Sequence, residues 1–224
     1  MEHTIKQIHD QIASCNDCTR LVSWREEIAA KKRKSFMEWD YWGKPVPGYG
    51  DPKSALLILG LAPAAHGGNR TGRVFTGDKS ADFLFRCMHV AGLSNQPNSD
   101  SMDDGLRFKG YMTVAVKCVP PGDKPTAEER NNCAKHLSSE IRFLPNLKIV
   151  VGLGKIGFES FLHYTRNDHE LKMKDYPFKH GVGYALPSGI TLYGAYHPSP
   201  RNVNTKRITF DMMVAFLNKI KNEI

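Results

Sequence analysis

Cys15 and Cys18 form a C-x-x-C pair with two polar residues, Asn16 and Asp17, between them. Two cysteines on one short turn can bind a metal centre from one side, and a distant pair can close it from the other. Cys118, at the end of an apolar run, and Cys133, inside the helical pattern that follows, are such a pair. Structural zinc sites usually close with two tight knuckles. The spacing from Cys118 to Cys133 is too wide for a knuckle, which favours a [4Fe-4S] cluster over zinc. The fifth cysteine, Cys87, lies on the apolar face of a helical pattern and reads as a buried core thiol. An odd number of cysteines argues against a disulfide framework.

Two further segments carry residue types suited to catalysis. The first runs from Gly60 to Asp78 and is rich in Gly and Ala, so its backbone N–H groups can approach a ligand closely. Within it Phe75 offers an apolar plate for a planar base. Arg70 and Arg73 have the charge to hold phosphates. Asp78 stands where a helix begins, as an N-cap or as a catalytic carboxylate, and the two roles do not exclude each other. The second segment is His197-Pro198-Ser199-Pro200-Arg201-Asn202. Two prolines stiffen it. A rigid tip with a long side chain suits a wedge that fills the gap left by an extruded base, and His197 can donate a hydrogen bond into a pocket. The plainer alternative for this segment is a rigid surface turn.

These segments need a scaffold. Four apolar runs, Ala55–Leu59, Met112–Val116, Lys148–Val151 and Thr191–Ala195, lack alternation and read as parallel strands covered on both faces. Helical patterns lie between and after them at Asp78–Ala91, Thr126–Phe143, Lys155–Tyr164 and Thr205–Ile220. The second opens with a capping box, Thr126 with Glu129, after Pro125. The alternation predicts a three-layer α/β/α sandwich around a central, mainly parallel four-stranded sheet. Ligands of such sheets bind outside the carboxyl ends of the strands, where the loops 60–77, 117–125 and 197–204 converge. Residues 1–50 differ in composition. They read as an N-terminal arm tied to the sandwich by the metal, with a basic run Lys31–Lys34 that is either a solvated helix face or a phosphate contact.

A chain of 224 residues suits a single domain, 1–224, with such an arm. No apolar run reaches the length of a bilayer span, and Met1–Ser14 lacks the pattern of a signal peptide, so an intracellular protein without membrane partners is expected. The net charge of +8 and pI of about 9.2 fit a polyanionic partner such as nucleic acid and, with equal weight, a merely basic enzyme.

Taken together, the loop Gly-Leu-Ala-Pro-Ala-Ala-His-Gly from Gly60, its Phe-Thr-Gly-Asp ending at Asp78, the segment Val116-Lys117-Cys118-Val119-Pro120-Pro121, and His-Pro-Ser-Pro-Arg-Asn from His197 resemble the type 5 uracil-DNA glycosylases. These are prokaryotic, iron–sulfur members of the uracil-DNA glycosylase superfamily. The resemblance runs from about Cys15 to the C-terminus. It implies a cytoplasmic, monomeric base-excision-repair enzyme acting on DNA that contains uracil or other deaminated bases. It implies cluster ligands at Cys15, Cys18, Cys118 and Cys133, and a base-binding pocket built from Ala62, Pro63, Ala64, Ala65, Phe75, Val114 and His197. His197 is the implied stabiliser of the leaving base and Asp78 the acidic candidate. DNA contacts fall to Arg70, Arg73, Ser199, Arg201 and Asn202. Better-known relatives carry a polar water-positioning residue early in the first loop and an Asn that reads the uracil edge. Here the first place is apolar and the second falls at or near Val114, which points to a pocket broader than uracil alone. The alternatives are a uracil-restricted glycosylase of type 4 and a non-catalytic nucleic-acid-binding protein.

Overall fold

A computed structural model describes residues 4–166 and 168–224; Met1–His3, part of the segment read for a signal peptide, lie outside them. The described residues form six strands: β1 (Tyr49–Gly50), β2 (Leu56–Gly60), β3 (Tyr111–Val114), β4 (Ile149–Leu153), β5 (Gly183–Ala185) and β6 (Thr191–Ala195). The helices are α1 (Ile5–Ala13), α2 (Thr19–Lys31), α3 (Gly68–Thr71), α4 (Lys79–Val90), α5 (Ala127–Arg142), α6 (Lys155–Arg166), α7 (Pro200–Asn204) and α8 (Phe210–Lys221).

The sheet order is β1-β3-β2-β4-β6-β5. The four inner strands are parallel, and β1 and β5 add antiparallel edges. The sheet is thus six-stranded and mixed rather than four-stranded. The edge strands escape a sequence reading because they are two and three residues long and half exposed, with no apolar run to mark them. The inner strands are nearly all buried because both faces are covered. Successive residues point to opposite sides of the sheet. Leu56, Ile58, Met112, Val114, Ile149 and Val151 pack with α4 and α8, whereas Leu57, Leu59, Tyr111, Val150 and Leu192 pack with α5 and α6. That division is the three-layer sandwich.

Caps set the helix starts. Thr126 accepts from the Glu129 N–H while the Glu129 carboxylate accepts from the Thr126 N–H, as the capping box requires. The helix expected over 205–220 starts five residues later, as α8 at Phe210. Lys206 takes a left-handed φ of 55° after α7, and Thr209 caps α8 by accepting from the Met212 N–H at 3.2 Å. No described helix is long and apolar enough to cross a membrane.

Candidate active site and thiol centre

The loops that follow β2, β3, β4 and β6 meet at the carboxyl ends of the parallel strands. They enclose a cavity of about 530 Å³ lined by Leu61, Ala62, Ala64, Phe75, Asp78, Ser80, Asp123, Leu153, Gly154, Lys155, Ile156, His197, Ser199 and Pro200. Phe75 and His197 therefore share one site although 122 positions separate them in the chain, counted as 197 minus 75. Their ring centroids lie 6.1 Å apart at an interplanar angle of 36°.

Phe75 sits at φ 50°, a strained region for an aromatic residue. The turn around it is held by Ser99, whose hydroxyl donates to the Phe75 carbonyl at 3.0 Å, and by the Gly77 N–H, which donates to the Ser99 carbonyl at 2.7 Å. The ring fits because residue 60 has no side chain: a Cβ there would stand 2.6 Å from the ring. Val114 is fully buried next to this contact and does not line the cavity. Pro63 and Ala65 belong to the same turn, outside the cavity lining. The backbone N–H groups of Ala64 and Ala65 have no partner among the described residues.

Asp78 caps α4 through one oxygen, Oδ1, which accepts from the N–H groups of Ser80 at 2.8 Å and Ala81 at 3.0 Å. The other oxygen, Oδ2, has no hydrogen bond among the described residues and lies against Gly67, where a Cβ would displace it. Burial pushes the carboxyl above its ordinary range, opposed by the two N–H donors. His197 has no side-chain hydrogen bond among the described residues. Burial pushes its imidazole below the ordinary value, with the Asp123 carboxylate opposing, so the ring is neutral near pH 7. Its loop is braced from within: Ser199 caps α7, and the Asn202 amide donates to the His197 carbonyl at 2.8 Å. Asn202 thus supports the loop, while Arg201 is exposed beside it. The first turns of α4 and α6 open onto the cavity, and their partial positive charge favours an anion there.

Arg70 and Arg73 lie elsewhere than on a phosphate-binding surface. Arg70 is buried, packed on the near-perpendicular rings of Phe36 and Trp39 at 4.0 Å from each centroid, and donates to the carbonyls of His66 and Gly77. Arg73 is buried against Asp104 at 2.6 Å, Ser99 and Thr76. Both charges are spent on shaping the first loop. Asp123 was passed over in the sequence. It ends the 3₁₀ turn Pro121–Asp123 at φ 58°, lines the cavity and faces His197 electrostatically. The Pro-Pro-Gly-Asp turn was the only available signal for it.

Cys15, Cys18, Cys118 and Cys133 line one pocket between the arm and the sandwich, whereas Cys87 lies in the core under α4. Donors converge on three of the four sulfurs: the Lys117 N–H on Cys133 at 3.2 Å, Arg25 on Cys118 at 3.2 Å and the Asn132 amide on Cys18 at 3.9 Å. Burial pushes the Cys133 thiol up to about 12 and raises Cys18 and Cys118, so metal binding must release their protons. The tightest set of ligand atoms among the described residues is Cys15, Asp17 and His136, all within 4.8 Å of one another. Asp17 is also held by Lys135 at 2.5 Å. Two buried nitrogens at this pocket, Arg25 Nε and His136 Nε2, have no hydrogen-bond partner among the described residues. Converging thiols, donors aimed at sulfur and orphaned polar atoms suit a thiolate-bound metal site.

Residues 47–221 match the Uracil DNA glycosylase superfamily, and the chain belongs to it. It is therefore an enzyme of the glycosylase class. It is 44% identical over 210 residues to a type-5 uracil-DNA glycosylase of Thermus thermophilus, covering 94% of each chain. A type-5 uracil-DNA glycosylase of Pyrobaculum aerophilum is 43% identical over 211 residues, covering 94% of this chain and 89% of its own. A type-4 uracil-DNA glycosylase of Sulfurisphaera tokodaii is 27% identical over 195 residues, covering 82% of this chain and 76% of its own.

Proposed function

We propose that the protein takes a uracil flipped out of DNA into the 530 Å³ cavity and hydrolyses its N-glycosidic bond, leaving an abasic site. The observation that carries this reading is the pairing of a neutral, unpartnered His197 with the Phe75 ring across one cavity. Cleavage puts negative charge on the departing base and positive charge on the sugar. His197 donates to the base oxygen as that charge develops, and the unpaired N–H groups of Ala64 and Ala65 and the first turns of α4 and α6 favour the same anion. The base stacks on Phe75. Asp78 Oδ2 supports the sugar cation and orients the attacking water while Oδ1 holds the helix. Bond breaking runs ahead of water attack, so an apolar start to the first loop is compatible with activity. Arg201, at the tip of the braced His197–Asn202 loop, fills the gap in the duplex.

Cys15, Cys18, Cys118 and Cys133 would hold a [4Fe-4S] cluster, which when bound cross-links residues 1–50 to the rest of a single domain and takes no part in hydrolysis. The missing Asn at Val114 supports a pocket that also admits hypoxanthine and xanthine. Monomeric action on DNA in a prokaryotic cytoplasm completes the reading. The test is release of free uracil from a uracil-containing duplex with an alkali-labile site left behind. Tight binding of that duplex without base release would overturn it in favour of a non-catalytic binder.

A further inference from the structure

Arg25 is 3% exposed and faces no buried carboxylate. Its nearest acid, Glu26, is 3.8 Å away on a side chain that is 62% exposed. Guanidinium groups stay charged in proteins, and burying one without a counter-charge is strongly unfavourable. The Arg25 fork donates instead to Cys118 Sγ at 3.2 Å, the Cys15 carbonyl at 3.1 Å and Asn16 Oδ1 at 2.6 Å. Its Nε is buried with no protein partner. The other buried cation at this pocket is already neutralised: Lys117 Nζ meets Glu140 at 2.5 Å, with both side chains almost fully buried. Among the described residues the only ion pair of Arg25 is the long one to the exposed Glu26 carboxylate, so its charge is the weakly answered one at the thiol pocket.

Arg25 also ties that pocket to the catalytic loop. Its carbonyl accepts from the Asn69 amide at 3.1 Å. Asn69 and Arg70 lie on α3, whose carbonyls accept from the N–H groups of Gly43 at 3.0 Å and Trp42 at 2.9 Å. Arg70 reaches on to the Gly77 carbonyl at 3.0 Å, one residue before Asp78.

We propose that Arg25 is the buried counter-ion of the metal–thiolate centre and the clamp that holds the Cys15–Asn16 turn against Cys118. The proposal rests on the cluster reading above. Four thiolates around an iron–sulfur core carry net negative charge, which the guanidinium answers. A fixed cation beside a cluster sulfur favours the reduced, more negative state. Arg25 is a positioning residue, and its signature is a redox equilibrium that a purely structural role would not move.

The experiment compares wild type, R25M and R25K, all purified without oxygen, by iron and sulfide analysis, redox titration and bleaching in air with EDTA. R25M should shift the reduction equilibrium at least about tenfold against the reduced cluster, which is about 59 mV for one electron. It should also bleach about tenfold faster, the usual scale for losing an outer-shell partner of a metal site. R25K keeps the charge without the fork, so it should hold the equilibrium near wild type and still bleach faster. An iron-loaded R25M with wild-type equilibrium and bleaching would overturn the assignment. If R25M does not fold, R25K decides, and bleaching at the wild-type rate overturns the clamp. Wild-type protein that carries zinc and no iron would instead overturn the cluster reading beneath it.

Discussion

The imidazole of His197 and the ring of Phe75 face one another across the cavity, 6.1 Å apart between centroids and inclined by 36°. One ring comes from the loop after β2 and the other from the loop after β6, strands held on either side of β4. A planar base entering between those loops meets an apolar face and a free donor in the same step.

Asp78 has one oxygen engaged and one free, which separates its two roles by mutation. D78N should keep the cap, since Asn caps as well as Asp, and so unfold at the wild-type temperature. D78A should lose about 1 kcal/mol of stability. Both should slow single-turnover cleavage on the order of tenfold or more. The free oxygen must be ionised to orient water, so activity falls as pH drops through a carboxyl value raised above 3.8. His197 stays neutral to below 6.5 because burial depresses it. The acid limb of the rate profile should therefore lie above 3.8, the ordinary aspartate value. Full activity in D78N would reduce Asp78 to a cap.

Gly60 makes room for Phe75. In G60A the new methyl would stand 2.6 Å and 2.8 Å from two ring carbons, so the ring must move while the end of β2 stays paired. Base stacking is worth about 1 to 3 kcal/mol, and kcat/KM should fall by the corresponding factor, about fivefold or more, with the fold intact by circular dichroism. Wild-type kcat/KM in a folded G60A would remove Phe75 as the stacking plate.

The same cavity lining bears on breadth. A site that hydrogen-bonds one base edge with a fixed amide penalises bases that leave the amide unpaired. Val114 offers no amide and lies behind the lining. Duplexes carrying hypoxanthine or xanthine should be cut as well as those with uracil, and mismatched uracil faster than paired uracil, because unpairing costs less there. Cleavage restricted to uracil across this panel would return the protein to the uracil-restricted reading.

The inner sheet was legible because strands covered on both faces leave long apolar runs, and the face that carries the cavity followed from strand direction alone. Cys15, Cys18, Cys118 and Cys133 were legible as a set because polar residues separate the first pair. Other features leave no local trace. Nothing near Arg70 or Arg73 in the chain says that Trp39 or Asp104 will cover them, so both read as phosphate contacts. Asp123 is an ordinary turn residue until the fold brings it opposite His197. Gly60 shows its purpose only against Phe75, fifteen positions on by subtraction.

The central claim is that His197 acts on the departing base and not on binding, and single-turnover cleavage of a uracil duplex by H197A tests it most directly. Affinity for the duplex should stay close to wild type while the cleavage rate falls about a hundredfold or more, the usual loss when one donor to a developing anion is removed. An unchanged cleavage rate in H197A, or a loss confined to affinity, would contradict the account.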